Sequence, residues 1–138
     1  MSFQACIVTV MNDVKTPYER LGGEPALRQL IERFYDLMDS LPEAAGIRAM
    51  HAADLSTARD KLFKFLSGWL GGPPLYMEEF GHPRLRGRHL PFAIGEDERD
   101  AWMLCMRMAM NELAIDDRLL TDHLLQSLYK VADHMRNQ

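Results

Sequence analysis

Cysteine is scarce in this chain: Cys6 and Cys105 are the only two among 138 residues. Their wide separation gives neither a pair of metal ligands nor a disulfide framework, so a reducing compartment, the cytoplasm, is expected. The absence of C-x-x-C-H excludes a cofactor attached through thioethers. β-branched residues are few as well. Val, Ile and Thr total 13 against 42 Leu, Ala and Met, which disfavours a sheet and favours an all-α fold. No apolar run approaches the roughly 18 residues of a membrane-crossing helix, and the N-terminus lacks the basic and long apolar regions of a secretory signal. Positive charge is also short, with 16 Lys and Arg against 20 Asp and Glu. A surface that tracks nucleic acid throughout is therefore excluded, and at most a local basic patch remains.

The length suits one domain, and a composition 47% apolar and 26% charged is that of an ordinary globular protein. Residues 1–15 read as an extension, with a lone strand-like stretch from Ala5 to Val10 that has no second strand to pair with. Thr16-Pro17-Tyr18-Glu19 combines a side-chain cap, a proline at the first helical position and a carboxylate three residues on, so a helix starts there and stops at Gly22-Gly23. Pro25 opens a longer helix with Leu27, Ile31, Phe34, Met38 and Leu41 along one face, bordered by Tyr35 and ended by Pro42. A short helix follows over Glu43 to Met50. Asp54 or Ser56 caps the next, whose apolar stripe runs Leu55, Ala58, Leu62, Phe65, Leu66 and Trp69. Gly71-Gly72-Pro73-Pro74 breaks the chain. From Leu75 to Ile94, repeated Gly and Pro allow only short helical pieces in a segment that is mostly loop. Two long helices close the chain: Glu96 to Ala114, facing inward through Trp102, Cys105, Met106, Ala109 and Leu113, and a last one capped by Asp116 or Asp117 and lined by Leu120, Leu124, Leu128, Val131 and Met135. A plain four-helix bundle would not need some twenty residues of interrupting turn chemistry, and ordered loop of that length is usually kept for function.

Five histidines are the natural candidates for chemistry. None forms H-x-x-x-H or H-E-x-x-H, so a helix-borne zinc site has no support. His123 and His134 read as surface or helix-end residues. His89 ends the run Gly81-His82-Pro83-Arg84-Leu85-Arg86-Gly87-Arg88-His89-Leu90-Pro91-Phe92, basic before it and apolar after it. Taken alone, a satisfied structural histidine is the commoner role, and Arg84, Arg86 and Arg88 suit a solvated loop or a phosphate-binding patch. A nucleic-acid reading lacks an interleaved aromatic platform. A third reading joins the imidazole, the cations and the apolar surroundings as the holder of an iron porphyrin with its two propionates.

Several motifs now fall into one order: Tyr18-x-x-Leu21-Gly22-Gly23, Phe34-Tyr35, Trp69-Leu70-Gly71-Gly72-Pro73, the run ending Arg86-x-Arg88-His89-x-Pro91-Phe92, and Glu98-Arg99-Asp100-Ala101-Trp102. Together, over roughly residues 16 to 135, they resemble the group II truncated haemoglobins. The resemblance implies a two-over-two helical sandwich over 16–138, around non-covalently held haem b. It implies His89 as the proximal iron ligand. Tyr35 and Trp102 match the distal tyrosine and tryptophan, and Ala58 and Leu62 face the haem from the distal helix. His51 occupies a variable distal position. Lys61 and Arg88 match positions that reach the propionates, while Leu62, Phe65 and Phe92 complete the cofactor contacts.

Donor chemistry agrees with this pattern. A Tyr hydroxyl and a Trp indole N–H both donate to a diatomic ligand that carries negative charge on its outer atom, and a small Ala58 leaves room for that ligand. Each residue also has an ordinary role: Tyr35 and Trp102 as core aromatics, Lys61 as an exposed cation, and Met103, Met106, Met108 and Met110 as adaptable packing. His51 either joins the distal hydrogen bonds or approaches the iron as a sixth ligand. The expected function is binding of dioxygen, carbon monoxide and nitric oxide by a monomer or homodimer, with no nucleic-acid or membrane partner. The alternatives are a haem redox enzyme, consuming nitric oxide or peroxide with electrons from a separate reductase, and a haem-free helical interaction module.

Overall fold

The computed structural model describes residues 15–138. The strand-like stretch Ala5 to Val10, and all of the expected extension except Lys15, lie outside the described residues. Within them the chain is all helix: α1 (Pro17–Leu21), α2 (Gly23–Ser40), a 3-10 turn (Pro42–Ala44), α3 (Ala45–Ala49), α4 (Ser56–Trp69), α5 (Leu75–Phe80), α6 (Leu85–His89), α7 (Glu96–Glu112) and α8 (Arg118–His134).

The helix ends follow from local chemistry. Thr16 Oγ1 accepts from the Glu19 N–H at 3.2 Å and starts α1. Gly22, at φ +124°, turns the chain into α2, and a Cβ there would meet Ala26 Cβ at 2.8 Å. The structure moves the start of α2 from Pro25 back to Gly23, because Pro25 needs no N–H in the first turn and is tolerated inside it. Leu41 is extended ahead of Pro42, as a residue before proline prefers, and ends α2. Neither expected residue is the N-cap of α4, which is Leu55; Asp54, one residue earlier, instead accepts from the Ser56 N–H at 2.9 Å and hydroxyl at 2.6 Å. Asp117, not Asp116, caps α8 by accepting from the Leu120 N–H at 3.0 Å. Glu98 reaches back to accept from the Gly95 N–H at 2.7 Å at the start of α7.

Helix α2 packs on α4 and on α7, and α7 packs on α8, giving two helix pairs stacked one over the other. Their shared core is centred on Phe34, which is wholly buried with Leu27, Leu30 and Ile31 of α2 and Cys105 and Met106 of α7. Met103, Met106 and Met110 are packing residues in that core. The Cys105 thiol sits among them, and burial pushes it above its ordinary pKa, away from the reactive thiolate.

Helix α4 departs from the expected stripe. Phe63, Leu66 and Ser67 are the buried residues of this helix, whereas Ala58, Leu62, Phe65 and Trp69 are only half-buried. The expected stripe therefore includes positions that do not enter the α2–α7 core. Three of them, Ala58, Leu62 and Phe65, are the positions that the resemblance gives to the cofactor.

Candidate functional site

His89 is the last residue of α6, a helix of five residues that no side-chain cap supports. Other contacts hold it. Its Nδ1 lies 2.5 Å from the Leu85 carbonyl oxygen, one turn earlier. A carbonyl can only accept, so Nδ1 carries the ring hydrogen and Nε2 keeps a lone pair available to a metal. Arg88 Nε donates to the Pro83 carbonyl at 2.8 Å, and Arg86 donates to the carbonyls of His134 and Arg136 at 2.8 and 3.1 Å, tying α6 to the end of α8. Asn137 then fixes the segment after His89, donating to the Phe92 carbonyl at 2.7 Å and accepting from the Ile94 N–H at 2.9 Å.

The second group of candidates gathers around Phe34. The Tyr35 ring meets Phe34 edge-on at 4.9 Å, Trp102 meets the same ring at 5.1 Å, and His51 stands 5.9 Å from Tyr35. Residues distant in sequence thus come together from α2, the turn after α3, and α7. Tyr35 is buried, and this pushes its phenol well above the usual tyrosine pKa, an effect that the Arg59 guanidinium partly opposes. The hydroxyl is therefore a neutral donor at any ordinary pH. Among the described residues, neither this hydroxyl nor the Trp102 indole N–H bonds to another side chain or carbonyl. The His51 Nδ1 lies 2.8 Å from the Ile47 carbonyl, so it carries the hydrogen, and Nε2 faces its surroundings as an acceptor.

Ala58, Leu62 and Phe65 line α4, half-buried, while Phe92 remains 40% exposed beyond α6. Lys61 is exposed, its ammonium 5.4 Å from the centre of the Phe80 ring. Phe80 and Leu90, on either side of α6, are further large apolar side chains left at the surface. No contact among the described residues joins His89 directly to the Tyr35, Trp102 and His51 group.

Two arginines that the sequence alone did not single out organise the second group. Arg59 donates to the Glu32 carboxylate at 2.7 Å and carbonyl at 3.0 Å, and to Asp36 at 2.9 Å, clamping α4 onto α2 beside Tyr35. Arg48 donates to Asp39 at 2.7 Å and to the carbonyls of Ala52 and Ala53 at 3.0 and 2.9 Å, which pins the loop that follows His51. The one sequence signal for the first clamp is the spacing of Glu32 and Asp36, one helical turn apart.

This donor set fits a haem. Among the described residues no three His, Cys, Asp or Glu side chains converge as metal ligands. A lone imidazole with a free Nε2 suits a metal whose remaining in-plane ligands belong to a macrocycle, and half-buried apolar side chains with cations nearby suit its ring and its propionates.

Comparison with known proteins agrees. The model of the bacterial-like globin family matches residues 16–137. The group 2 truncated haemoglobin YjbI of Bacillus subtilis is 42% identical over 88% of this chain and 89% of its own. The group II 2-on-2 haemoglobin of the plant pathogen Agrobacterium tumefaciens is 48% identical and superposes with a TM-score of 0.88 over 91% of this chain and 97% of that one. A truncated oxygen-avid haemoglobin from Bacillus subtilis superposes with a TM-score of 0.81 at 41% identity, covering 89% of this chain and 100% of that one. The chain therefore belongs to the bacterial-like globins, as a group II truncated haemoglobin with the haem-holding two-over-two fold of that family.

Proposed function

We propose that the protein reversibly binds dioxygen, and also carbon monoxide and nitric oxide, at the iron of a haem b ligated by His89. The observation that carries this reading is the hydrogen bond from His89 Nδ1 to the Leu85 carbonyl, which leaves Nε2 as the free ligand atom. When bound, the haem supplies reversible coordination of a diatomic molecule and electron density on its outer atom.

The rest is the work of this chain. Tyr35 O–H and Trp102 N–H donate to that outer atom, both from around Phe34. Ala58 leaves space beside them and adds no bond of its own. Leu62, Phe65 and Phe92 give the ring an apolar bed and keep water from the donors, which strengthens each hydrogen bond. Lys61 and Arg88 hold the propionates. His51, its Nδ1 bonded to the Ile47 carbonyl, stands beside the Tyr35 ring and leaves the one tyrosine hydrogen for the ligand. That a relative is described as oxygen-avid supports the same assignment.

The test is spectroscopic. Purified protein should show the intense near-ultraviolet porphyrin band, shifting on reduction and again under carbon monoxide. His89→Gly should lose haem or change its iron coordination, and added imidazole should restore the parent spectrum. A His89→Gly protein with the parent spectrum and no response to imidazole overturns the ligand assignment.

A further inference from the structure

Between residues 82–87 and the last turns of α8 lies an open pocket of about 690 Å³. Small-molecule sites commonly occupy about 300–1,000 Å³. None of the side chains assigned to the haem lines this one. Its lining takes in Leu85, one turn before His89 and on the same face of α6, as well as Gly87, about 200° around the helix from His89.

The lining is two-sided in character. Arg84, Arg86, Lys130 and the imidazoles of His82 and His134 supply its polar part, and no carboxylate lines it, although the chain as a whole carries a net charge of −4. Leu85, Val131 and Met135 supply an apolar part. Arg86 is held in the wall by the His134 and Arg136 carbonyls. Arg84 is set in the left-handed region at φ 48°, where its N–H donates to His82 Nδ1 at 3.1 Å. Arg84 and Lys130 are exposed, and neither pairs with a carboxylate among the described residues.

We propose that this cavity binds a small amphipathic carboxylate of the short- to medium-chain fatty acid class. Arg84 and Lys130 hold the carboxylate, and Leu85, Val131 and Met135 cover the chain. A compact inorganic anion leaves the apolar part wet, and a neutral apolar molecule leaves the cations without a partner, so one ligand carrying both features fits best. An occupant packs against Leu85, the residue whose carbonyl orients His89.

The test uses the protein as purified, with haem. Octanoate is titrated calorimetrically, with inorganic phosphate at equal ionic strength as the comparison. One octanoate per chain is expected, with phosphate at least about tenfold weaker. A Cβ built on Gly87 meets nothing within 4 Å, so a side chain can start there, and Gly87→Leu should weaken octanoate binding at least about tenfold. The double variant Arg84→Ala/Lys130→Ala removes only exposed cations and should weaken it about tenfold. The carbon monoxide spectrum of each sample reports separately on the haem. The proposal is overturned if the parent takes no octanoate, if phosphate binds as tightly, or if both variants bind octanoate like the parent.

Discussion

Arg59 holds its guanidinium carbon 5.7 Å from the centre of the Tyr35 ring while bonding Glu32 and Asp36, the residues three before and one after that tyrosine. One side chain on α4 thus fixes the spacing between that helix and Tyr35. Its partners are more than half exposed, so the two ion pairs are screened by solvent. Arg59→Gln should therefore cost only about 1 kcal/mol in urea denaturation, yet it should change the near-ultraviolet dichroism of Tyr35. A variant with an unchanged aromatic spectrum would show that the clamp does not position the ring.

Burial raises the Tyr35 phenol above the ordinary tyrosine value of about 10. The folded protein thus keeps a proton that the unfolded chain loses. The stability from this source is fully present below about pH 10 and declines as pH rises further. Unfolding midpoints measured across the alkaline range should fall more steeply for the parent than for Tyr35→Phe, which has no proton to retain. Equal slopes would place the hydroxyl in contact with solvent.

At the acid end the sign is reversed. Arg20 holds the Asp117 carboxyl below its usual range, chiefly by a side-chain hydrogen bond, and the Leu120 N–H adds to this. That stability is present above the ordinary carboxylate value of about 4 and is lost as pH falls through the lowered one. Asp117→Asn keeps an oxygen for the cap but no charge for Arg20, so its melting temperature should depend less on pH in the acid range. Asp117→Ala loses the cap as well and should melt a few degrees lower even at neutral pH.

The parts of the molecule that could be read in advance are those set by local chemistry. The Thr16 cap, the proline after Leu41 and the apolar periods of α2, α7 and α8 depend on neighbours within one or two turns. The partial exposure of Ala58, Leu62 and Phe65 could not be read from α4 itself, because periodicity marks an apolar stripe without saying what covers it. The Arg59 and Arg48 clamps were hidden for another reason. Each joins segments that are remote in sequence or separated by a turn, and an arginine on a polar face looks like any solvated cation until its partners are placed. The tautomers of His51 and His89 depend on carbonyls one helical turn away, which only the backbone geometry supplies.

Two glycines separate space from conformation. A Cβ on Gly72 would lie 2.5 Å from the Tyr18 ring, where α1 closes against the end of α4. Gly46, inside α3, has nothing within 4 Å of the same position. Gly72→Ala must push the Tyr18 ring aside and should destabilise the fold by about 1–3 kcal/mol. Gly46→Ala should be neutral or stabilise it by about 0.5–1 kcal/mol, since alanine loses less freedom in a helix. Chemical denaturation of the two variants checks the contrast, and equal effects would contradict the packing at the corner.

Tyr35 and Trp102 touch the same Phe34 ring, so each can be changed while the other keeps its support. Phenylalanine keeps an aromatic ring at either position; it removes only the hydroxyl from Tyr35, but the second ring as well as the N–H from Trp102. A neutral hydrogen bond contributes about 0.5–1.5 kcal/mol net, so Tyr35→Phe and Trp102→Phe should each speed dioxygen release by about two- to tenfold. The double variant should speed release by about four- to a hundredfold if the two donors act independently. Carbon monoxide draws less negative charge onto its outer atom and should be released at nearly the parent rate from all three variants. Ligand replacement followed by stopped flow measures both gases on the same samples. If dioxygen release changes no more than carbon monoxide release, the two side chains shape the pocket without donating to the ligand, and the distal half of the proposed function fails while His89 still holds the haem.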